Sequence, residues 1–130
     1  MMIANQVKNL IRENATSLGI DPGLVFAYAI NKKSNVEALN KIVILITEID
    51  NSIDRQGSNV SISRLGRVQL QIFFPATFAD DTSVLSEKLL DLMESNDWYN
   101  YFDGGTERDP QTQQFFNTSH YEKSYERSVN

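Results

Sequence analysis

The fold class of this chain is decided by the stretch from Arg67 to Phe74, which reads RVQLQIFF. Apolar side chains occupy every second position in it, at Val68, Leu70, Ile72 and Phe74. This period of two is typical of a β-strand that buries one face and leaves the other to water. Pro75 follows directly and ends the strand, because proline has no amide hydrogen for a neighbouring strand. The sequence therefore predicts a sheet with a second layer packed on one face.

Three further stretches have the character of strands or of their connections. Leu24–Ile30 is rich in branched and aromatic residues, and Val60–Arg64 alternates apolar and polar side chains. Lys41–Asp50 is apolar on both faces over its first half, so we expect a central strand covered on both sides. The polar Asn51–Asn59 is predicted to be a long hairpin loop. Together with the strand at 67–74, these stretches predict an antiparallel meander.

Two helices flank the predicted strands. The first has one apolar stripe, at Ile3, Val7, Leu10, Ile11 and Leu18. Gly19 is placed to cap it and Pro22 blocks its continuation, so this helix should end near residue 18. The second follows the capping residues Asp80–Ser83 and should end near Asn96. We predict an α+β fold, with a mainly antiparallel sheet and two helices packed on one face.

The length of 130 residues suits a single domain with one hydrophobic core. We assign residues 1–118 to this α+β domain. Residues 119–130 are polar, with Tyr121 and Tyr125 as their only large apolar groups. We predict that they form a C-terminal extension that is mobile in a free subunit, since it has little to bury.

Composition excludes several classes of function. The chain has no cysteine, so disulfides, thiolate metal sites and cysteine nucleophiles are absent. Its net charge is −5, and the one modest basic cluster, Arg55, Arg64 and Arg67, follows several acids, so we expect no sequence-specific binding of nucleic acid. The longest apolar run, Ile42–Ile46, is far shorter than the ~20 residues that cross a bilayer. We expect no membrane segment and no signal peptide.

The candidate catalytic and metal-binding groups each have a simpler structural explanation. His120 is the only histidine, and no orienting motif surrounds it, so an exposed histidine is favoured over a general base. Asp50–Asp54 lacks the alternating acids, the glycine and the final glutamate of a calcium loop. Gly104-Gly105 lacks the lysine of a phosphate-binding loop and reads as a turn.

The paired carboxylates also have structural explanations. Asp80-Asp81 stands where a helix is capped, and Glu107 with Asp109 stands at a turn. A carboxylate-based hydrolase needs two acids at a defined distance, which a sequence does not show. We expect no catalytic site, no metal and no cofactor.

Two groups of aromatic residues stand out. Trp98–Phe102 holds four aromatics in five residues, and we expect two or three of them to fill the base of the core. Four more lie in the polar C-terminal region, at Phe115, Phe116, Tyr121 and Tyr125. For these four, burial in the core and contact with a neighbouring protein remain equal alternatives, since tyrosine and phenylalanine are common interface anchors.

The order of elements has a counterpart among known proteins. An amphipathic helix ends in a Gly-Ile turn at 19–20, and a long hairpin and a V-x-L-x-I strand at 68–72 follow. A leucine-rich helix at 85–93 and a polar region with aromatics at 115–125 complete the layout. In this layout, over nearly its whole length, the chain resembles the tail terminators, or tail-completion proteins, of long-tailed phages. It looks most like the small tail proteins of phages of lactic-acid bacteria.

The resemblance implies a structural function without catalytic residues. Such proteins form a ring, usually of six copies, which caps the tail tube at its final length and offers a docking surface to the head-side connector. The expected partners are other copies of the chain, the major tail tube protein and the head-side connector protein. The expected location is the host cell cytoplasm during assembly and the virion tail afterwards.

A ring also predicts where functional residues lie, because each subunit must present two different patches to its neighbours. The expected residues of the oligomer or tube interface are Asp54, Arg55, Arg64, Arg67, Phe115, Phe116, Tyr121 and Tyr125. Glu48 and Asp50 are expected to face the channel, where their charge would keep passing DNA from adhering. Two alternatives remain: a neighbouring head–tail joining (neck) protein, or a small carboxylate-based hydrolase with converging acids in a cleft.

Overall fold

A computed structural model describes residues 2–30, 41–57 and 60–126, with the backbone alone for 51–57, 60–63 and 126. Its described helices are α1 (Ile3–Glu13), α2 (Ala15–Leu18), a 3-10 turn (Pro22–Leu24) and α3 (Ser83–Ser95). Its described strands are β1 (Val25–Ala27), β2 (Val43–Gly57), β3 (Val60–Phe73), β4 (Tyr99–Arg108) and β5 (Phe115–Glu126).

The strands form one five-stranded sheet in the order β1-β2-β3-β5-β4. Every pairing is antiparallel except that of the short β1, which runs parallel to β2. The predicted α+β class and mainly antiparallel sheet are confirmed. The predicted meander is wrong in two respects, because β1 runs parallel to β2 and Val60–Phe73 is one strand rather than two. At the other side of the sheet, β5 lies between β3 and β4.

The core lies between one face of the sheet and the helices α1, α2 and α3, as the apolar stripes predict. Alternate residues of β2, β3 and β5 face it, and α1 and α3 cover them. The core residues include Ile3, Val7, Ile11, Ile44, Ile46, Val68, Leu70, Ile72, Leu85, Leu89, Met93 and Tyr121. We call this the covered face. The side chains that alternate with these core residues along the strands point to the opposite face, which we call the open face. It includes Thr47, Gln69, Arg67, His120 and Glu122 and continues onto β4.

The first helix ends earlier than its apolar stripe predicts. α1 stops at Glu13, and the Asn14 side chain then donates a hydrogen bond of 2.9 Å to the carbonyl of Leu10. The short α2 continues the stripe to Leu18, and Gly19 caps it in the left-handed conformation, with φ of 74°. The predicted glycine cap is therefore confirmed.

The predicted hairpin loop is mostly strand. Asn51–Gly57 continues β2, and Val60 to Phe73 is one strand rather than the two that the sequence suggests. Residues 58 and 59 lie outside the described residues. Polar side chains are compatible with a two-stranded ladder because its stability comes from backbone pairing, and register shifts after Glu48 and Ile53 bend the hairpin.

The C-terminal region differs from its predicted state as a polar extension. Residues 119–126 form the second half of β5, which pairs with β3 on one side from Phe116 to Glu126 and with β4 on the other from Phe115 to Glu122. A strand between two neighbours has its backbone groups satisfied on both sides. A polar sequence suffices here because only alternate side chains, such as that of Tyr121, enter the core.

Candidate functional site

Strand β4 is the outer strand of the sheet and begins with the aromatic cluster. Trp98, just before it, is 3% exposed and belongs to the core, whereas Tyr99, Tyr101 and Phe102 are 57%, 43% and 46% exposed. The expectation that two or three of the four fill the core is wrong, because the outer strand projects most of its rings away from the helices. We call Tyr99, Tyr101 and Phe102 the aromatic strip.

A β-bulge explains why two consecutive rings of the strip meet the same residue. The register of β4 against β5 shifts between Asn100 and Phe102, so that Phe102 is opposite His120. The ring centroid of Phe102 lies 4.7 Å from that of His120, and the centroid of Tyr101 lies 5.8 Å from it. Without a bulge, neighbouring residues of a strand point to opposite faces.

His120 sits on the open face under these two rings. Its Nε2 lies 3.1 Å from the amide oxygen of Gln69, on the neighbouring strand β3. Partial burial lowers the pKa of His120, because desolvation disfavours the charged imidazolium. The neutral imidazole is therefore favoured, and it has a hydrogen-bond partner and two aromatic neighbours rather than the exposed position predicted near a flexible end.

An ion triad lies beside His120 on the same face. Arg67 contacts Asp50 of β2 at 3.0 Å and Glu122 of β5 at 3.1 Å, and all three side chains are about one-third exposed. The hydrogen bonds that Arg67 donates to the carboxylates of Glu122 and Asp50 raise the pKa of Arg67. The guanidinium carbon also lies 5.6 Å from the centre of the Tyr101 ring, so the triad contacts the middle ring of the strip.

The other residues predicted near the hairpin are spread over the sheet. Glu48 is exposed and accepts a hydrogen bond of 3.3 Å from the hydroxyl of Tyr28, whose pKa is raised by burial and by that carboxylate. Arg64 is half-buried and pairs in register with Tyr125. The side chains of Asp54 and Arg55 lie outside the described residues.

The structure does not bring the four C-terminal aromatics together. Tyr121 is 3% exposed in the core, and both Phe115 and Tyr125 pack against that core from half-buried positions. Phe116 lies on the open face, with its ring centroid 6.0 Å from that of Phe73. Tyr121 is therefore a core residue and not a surface anchor, because its position on β5 faces the helices.

The aromatic strip is the surface that the sequence interpretation missed. The signal was present, since four aromatics in five residues exceed what one helix end can bury. The sequence interpretation places a turn at Gly104-Gly105 directly after the cluster, and so it predicts no strand there. In the structure, Tyr99–Arg108 is an edge strand. On such a strand, rings on one side have no neighbouring strand to shield them.

The paired carboxylates have local structural roles. Asp81 accepts hydrogen bonds from the backbone and hydroxyl of Ser83 at 2.9 and 2.7 Å, which lowers the pKa of Asp81. Asp109 accepts from the backbone nitrogen of Gln111 at 2.8 Å. These bonds organise the start of α3 and the turn before β5.

Within residues 2–30, 41–57 and 60–126, no group of three or more His, Asp or Glu side chains is arranged to hold a metal ion. No helix among these residues has the length and apolar character that crossing a membrane requires.

The profile of the DUF806 family, described as a protein family of unknown function, matches residues 2–126. No curated protein matches the chain.

Proposed function

We propose that this chain, which belongs to the DUF806 family, is a structural protein of a phage tail. In this proposal it acts as a tail terminator: a ring of copies caps the tail tube, fixes its length and presents the docking surface for the head-side connector. The layout that resembles tail-completion proteins motivates the identity, and the surface of the sheet supports an assembly function.

The aromatic strip is the observation that carries the assembly function. Three large rings lie side by side on an outer strand, each more than two-fifths exposed. Aromatic side chains bury about 150–250 Å² each when they are covered, so leaving them in water forgoes much stabilisation. Tyrosine and phenylalanine are enriched at the centres of protein interfaces. The strip therefore supports contact with another protein at this edge.

The two edges of the sheet differ, which favours a ring over a symmetric dimer. At the far edge, Tyr28 is 38% exposed and Ile49 is 44% exposed, next to the exposed carboxylate of Glu48. A ring needs two different patches that contact each other around the circle, whereas a two-fold dimer uses one patch twice. The strip and this second patch supply such a pair.

Of the two acids expected to face the channel, Asp50 keeps that role in the proposal. Asp50 shares the charge of Arg67 with Glu122, so the triad as a whole carries one negative charge. Glu48 is opposite Val68 and so points to the covered-face side of β2, whereas Asp50 is opposite Arg67 on the open face. In the proposal, the weakly negative triad repels passing DNA without attracting basic proteins strongly.

Electron microscopy of the purified protein, alone and mixed with isolated tail tubes, tests the proposal. We expect six-fold rings or capped tube ends for the wild-type protein. The variant Tyr99→Thr/Tyr101→Thr/Phe102→Thr should lose both while keeping its circular-dichroism spectrum, because the rings are exposed and threonine suits a strand. The control Met2→Ala/Val84→Ala removes exposed apolar groups away from β4 and should assemble normally.

Two results would contradict the proposal. One is a wild-type protein that stays monomeric and ignores tube ends. The other is a triple variant that caps tubes as well as the wild type does, which would remove the strip from the interface. Binding to the head-side connector without any binding to tubes would favour the neck protein instead.

A further inference from the structure

A cleft lies between α3 and the part of the covered face formed by β5 and β4. Its volume is about 190 Å³. Apolar residues form its floor and polar residues its walls and mouth. The lining residues are Leu70, Ile72, Leu89, Leu90, Tyr121, Ser83, Ser86, Glu87, Asn100, Asp103, Asn117 and Ser119.

The polar wall is unusual for a surface that faces a helix. Under α1 the sheet presents apolar residues. Under α3 it presents Asn117 and Ser119 of β5, which lie opposite Ile72 and Leu70 of β3 on the covered face. Asn117 donates to the Ser86 hydroxyl and accepts from Thr106, which fixes its amide. Buried polar groups cost free energy unless they are bonded, so this wall is a built feature with defined acceptors and donors.

The charge of the cleft is negative. Asp103 and Glu87 line it, and no lysine or arginine is among the lining residues. Burial, followed by the charges of Asp103 and Glu94, raises the pKa of Tyr121 on the floor to about 12. The cleft therefore disfavours an anion. The first turn of α3, whose backbone amides could attract one, lies beside the cleft, but Asp81 already accepts a hydrogen bond from the amide of Ser83 at the start of that helix.

The size of the cleft selects among possible cations. Pockets for drug-sized ligands and cofactors have about 300–1,000 Å³, so this cleft is too small for such a ligand. An apolar floor with carboxylates at the mouth matches an amphipathic side chain, which buries its stem and keeps its charge near acceptors. Arginine fits better than lysine because its planar group has five donors for several separate acceptors.

The acceptors have fixed positions. One carboxylate oxygen of Asp103 accepts from the backbone nitrogen of Gly105 at 2.9 Å, which holds that carboxylate in place. Asn100 donates from its amide nitrogen to the carbonyls of Phe102 and His120 at 3.0 and 3.3 Å. The remaining polar atom of the Asn100 side chain is its amide oxygen, which is an acceptor.

We infer that this cleft binds an arginine side chain of a partner protein, with the stem over Leu89 and Tyr121 and the guanidinium between Glu87 and Asp103. We assign the donor to a different protein, since each arginine whose side chain the structure describes is engaged within its own chain; the side chains of Arg55 and Arg127 lie outside the described residues, and a change of protein concentration tests them as donors. The engaged arginines are Arg12 on the Val25 carbonyl, Arg67 in the ion triad, Arg108 over the Phe115 ring, and the paired Arg64. The inference does not depend on the tail function.

Nuclear magnetic resonance of the full-length protein tests this site with a small probe. The probe is N-acetyl-arginine methylamide, added to millimolar concentration, and its neutral isostere N-acetyl-citrulline methylamide is the control. We expect saturable shifts of the amide signals of Asn100, Asp103 and Asn117 with the arginine compound only. The variant Glu87→Gln/Asp103→Asn should bind about three- to fivefold more weakly, as expected for partly exposed ion pairs.

The variant Glu13→Gln/Asp91→Asn is the matched control, because it changes the net charge equally at exposed positions that do not line the cleft. It should bind the arginine compound like the wild type. Equal shifts with the citrulline compound, shifts outside the cleft alone, or equal weakening by the control variant would overturn the site. Shifts of the same amides on raising the protein concentration without probe would overturn the assignment to a different protein.

Discussion

The two faces of the sheet differ in burial and in the kind of contact that their side chains make. On the covered face, Ile44, Val68 and Leu70 are at most 1% exposed beneath α1 and α3. On the open face, Val43 is buried with Leu24 in a small second cluster, while Arg67 and Gln69 are partly exposed and take part in the ion triad and in the pair with His120. Burying a branched aliphatic side chain stabilises by about 1.5–3 kcal/mol, whereas a surface ion pair gives about 0–1 kcal/mol.

This difference separates stability from recognition. The covered face supplies most of the free energy of unfolding, so its substitutions should act on stability. The open face and the aromatic strip contribute little to stability and remain accessible, so their substitutions should act on binding. The same strands serve both because consecutive side chains of a strand point to opposite faces.

The largest expected effect compares two adjacent phenylalanines on opposite faces. Phe74 is fully buried and its ring lies 4.9 Å from that of Phe78, so Phe74→Ala should lower the free energy of unfolding by about 3–5 kcal/mol. Phe73 is half-buried on the open side, and Phe73→Ala should cost about 1–2 kcal/mol. Urea unfolding measures both. Equal losses would show that the two faces do not differ in burial as described.

The next effect concerns the distance between α1 and the sheet. A Cβ atom at Gly66 would lie 3.1 Å from Cδ1 of Ile3 and 3.4 Å from a ring carbon of Tyr125. Gly66→Ala should therefore destabilise by about 1–3 kcal/mol through overpacking. Adding Ile3→Val removes the Cδ1 atom, so the double variant should recover part of the loss in a double-mutant cycle. Strictly additive losses would contradict this contact.

The smallest effect is a dependence on pH from the open face. The pKa of His120 is lowered by desolvation, so below the ordinary histidine pKa of about 6.5 the unfolded chain takes up the proton first. The contribution of His120 to the free energy of unfolding is therefore fully present above that pH and is lost as the pH falls through the lower pKa of the folded state. Urea midpoints between pH 7.5 and 5.5 should fall in the wild type and fall less in His120→Gln. An imidazole that titrates at or above 6.5 by NMR would refute the sign.

Much of the fold was accessible from local patterns. The strand ending at Phe73, the glycine cap at Gly19 and the helix at Ser83–Ser95 follow from spacing and capping residues. The sequence does not predict strands in the polar half of the hairpin or in the polar half of β5, and both have the same cause. A strand held by backbone pairing does not need an apolar sequence, so a polar stretch looks like a loop until its neighbours are known.

The candidate site was less accessible. Arg67 and Asp50 were singled out separately, but their contact with each other and with Glu122 depends on strands that are far apart in the sequence. For Tyr121 the sequence leaves core and interface as equal alternatives, and the structure places it in the core, while the exposed rings belong to β4. A one-residue change of register exchanges the faces of every side chain in a strand, so composition alone cannot assign them.

The sequence by itself determined the α+β class, the helix positions and most of the side chains of the core, because periods of two and 3.6 residues are local properties of the backbone. Only the tertiary structure decided that β5 enters between β3 and β4, and that β4 becomes an edge. Strand order depends on contacts between distant segments, which no local period encodes. That order exposes the aromatic strip, completes the ion triad and forms the acidic cleft beneath α3.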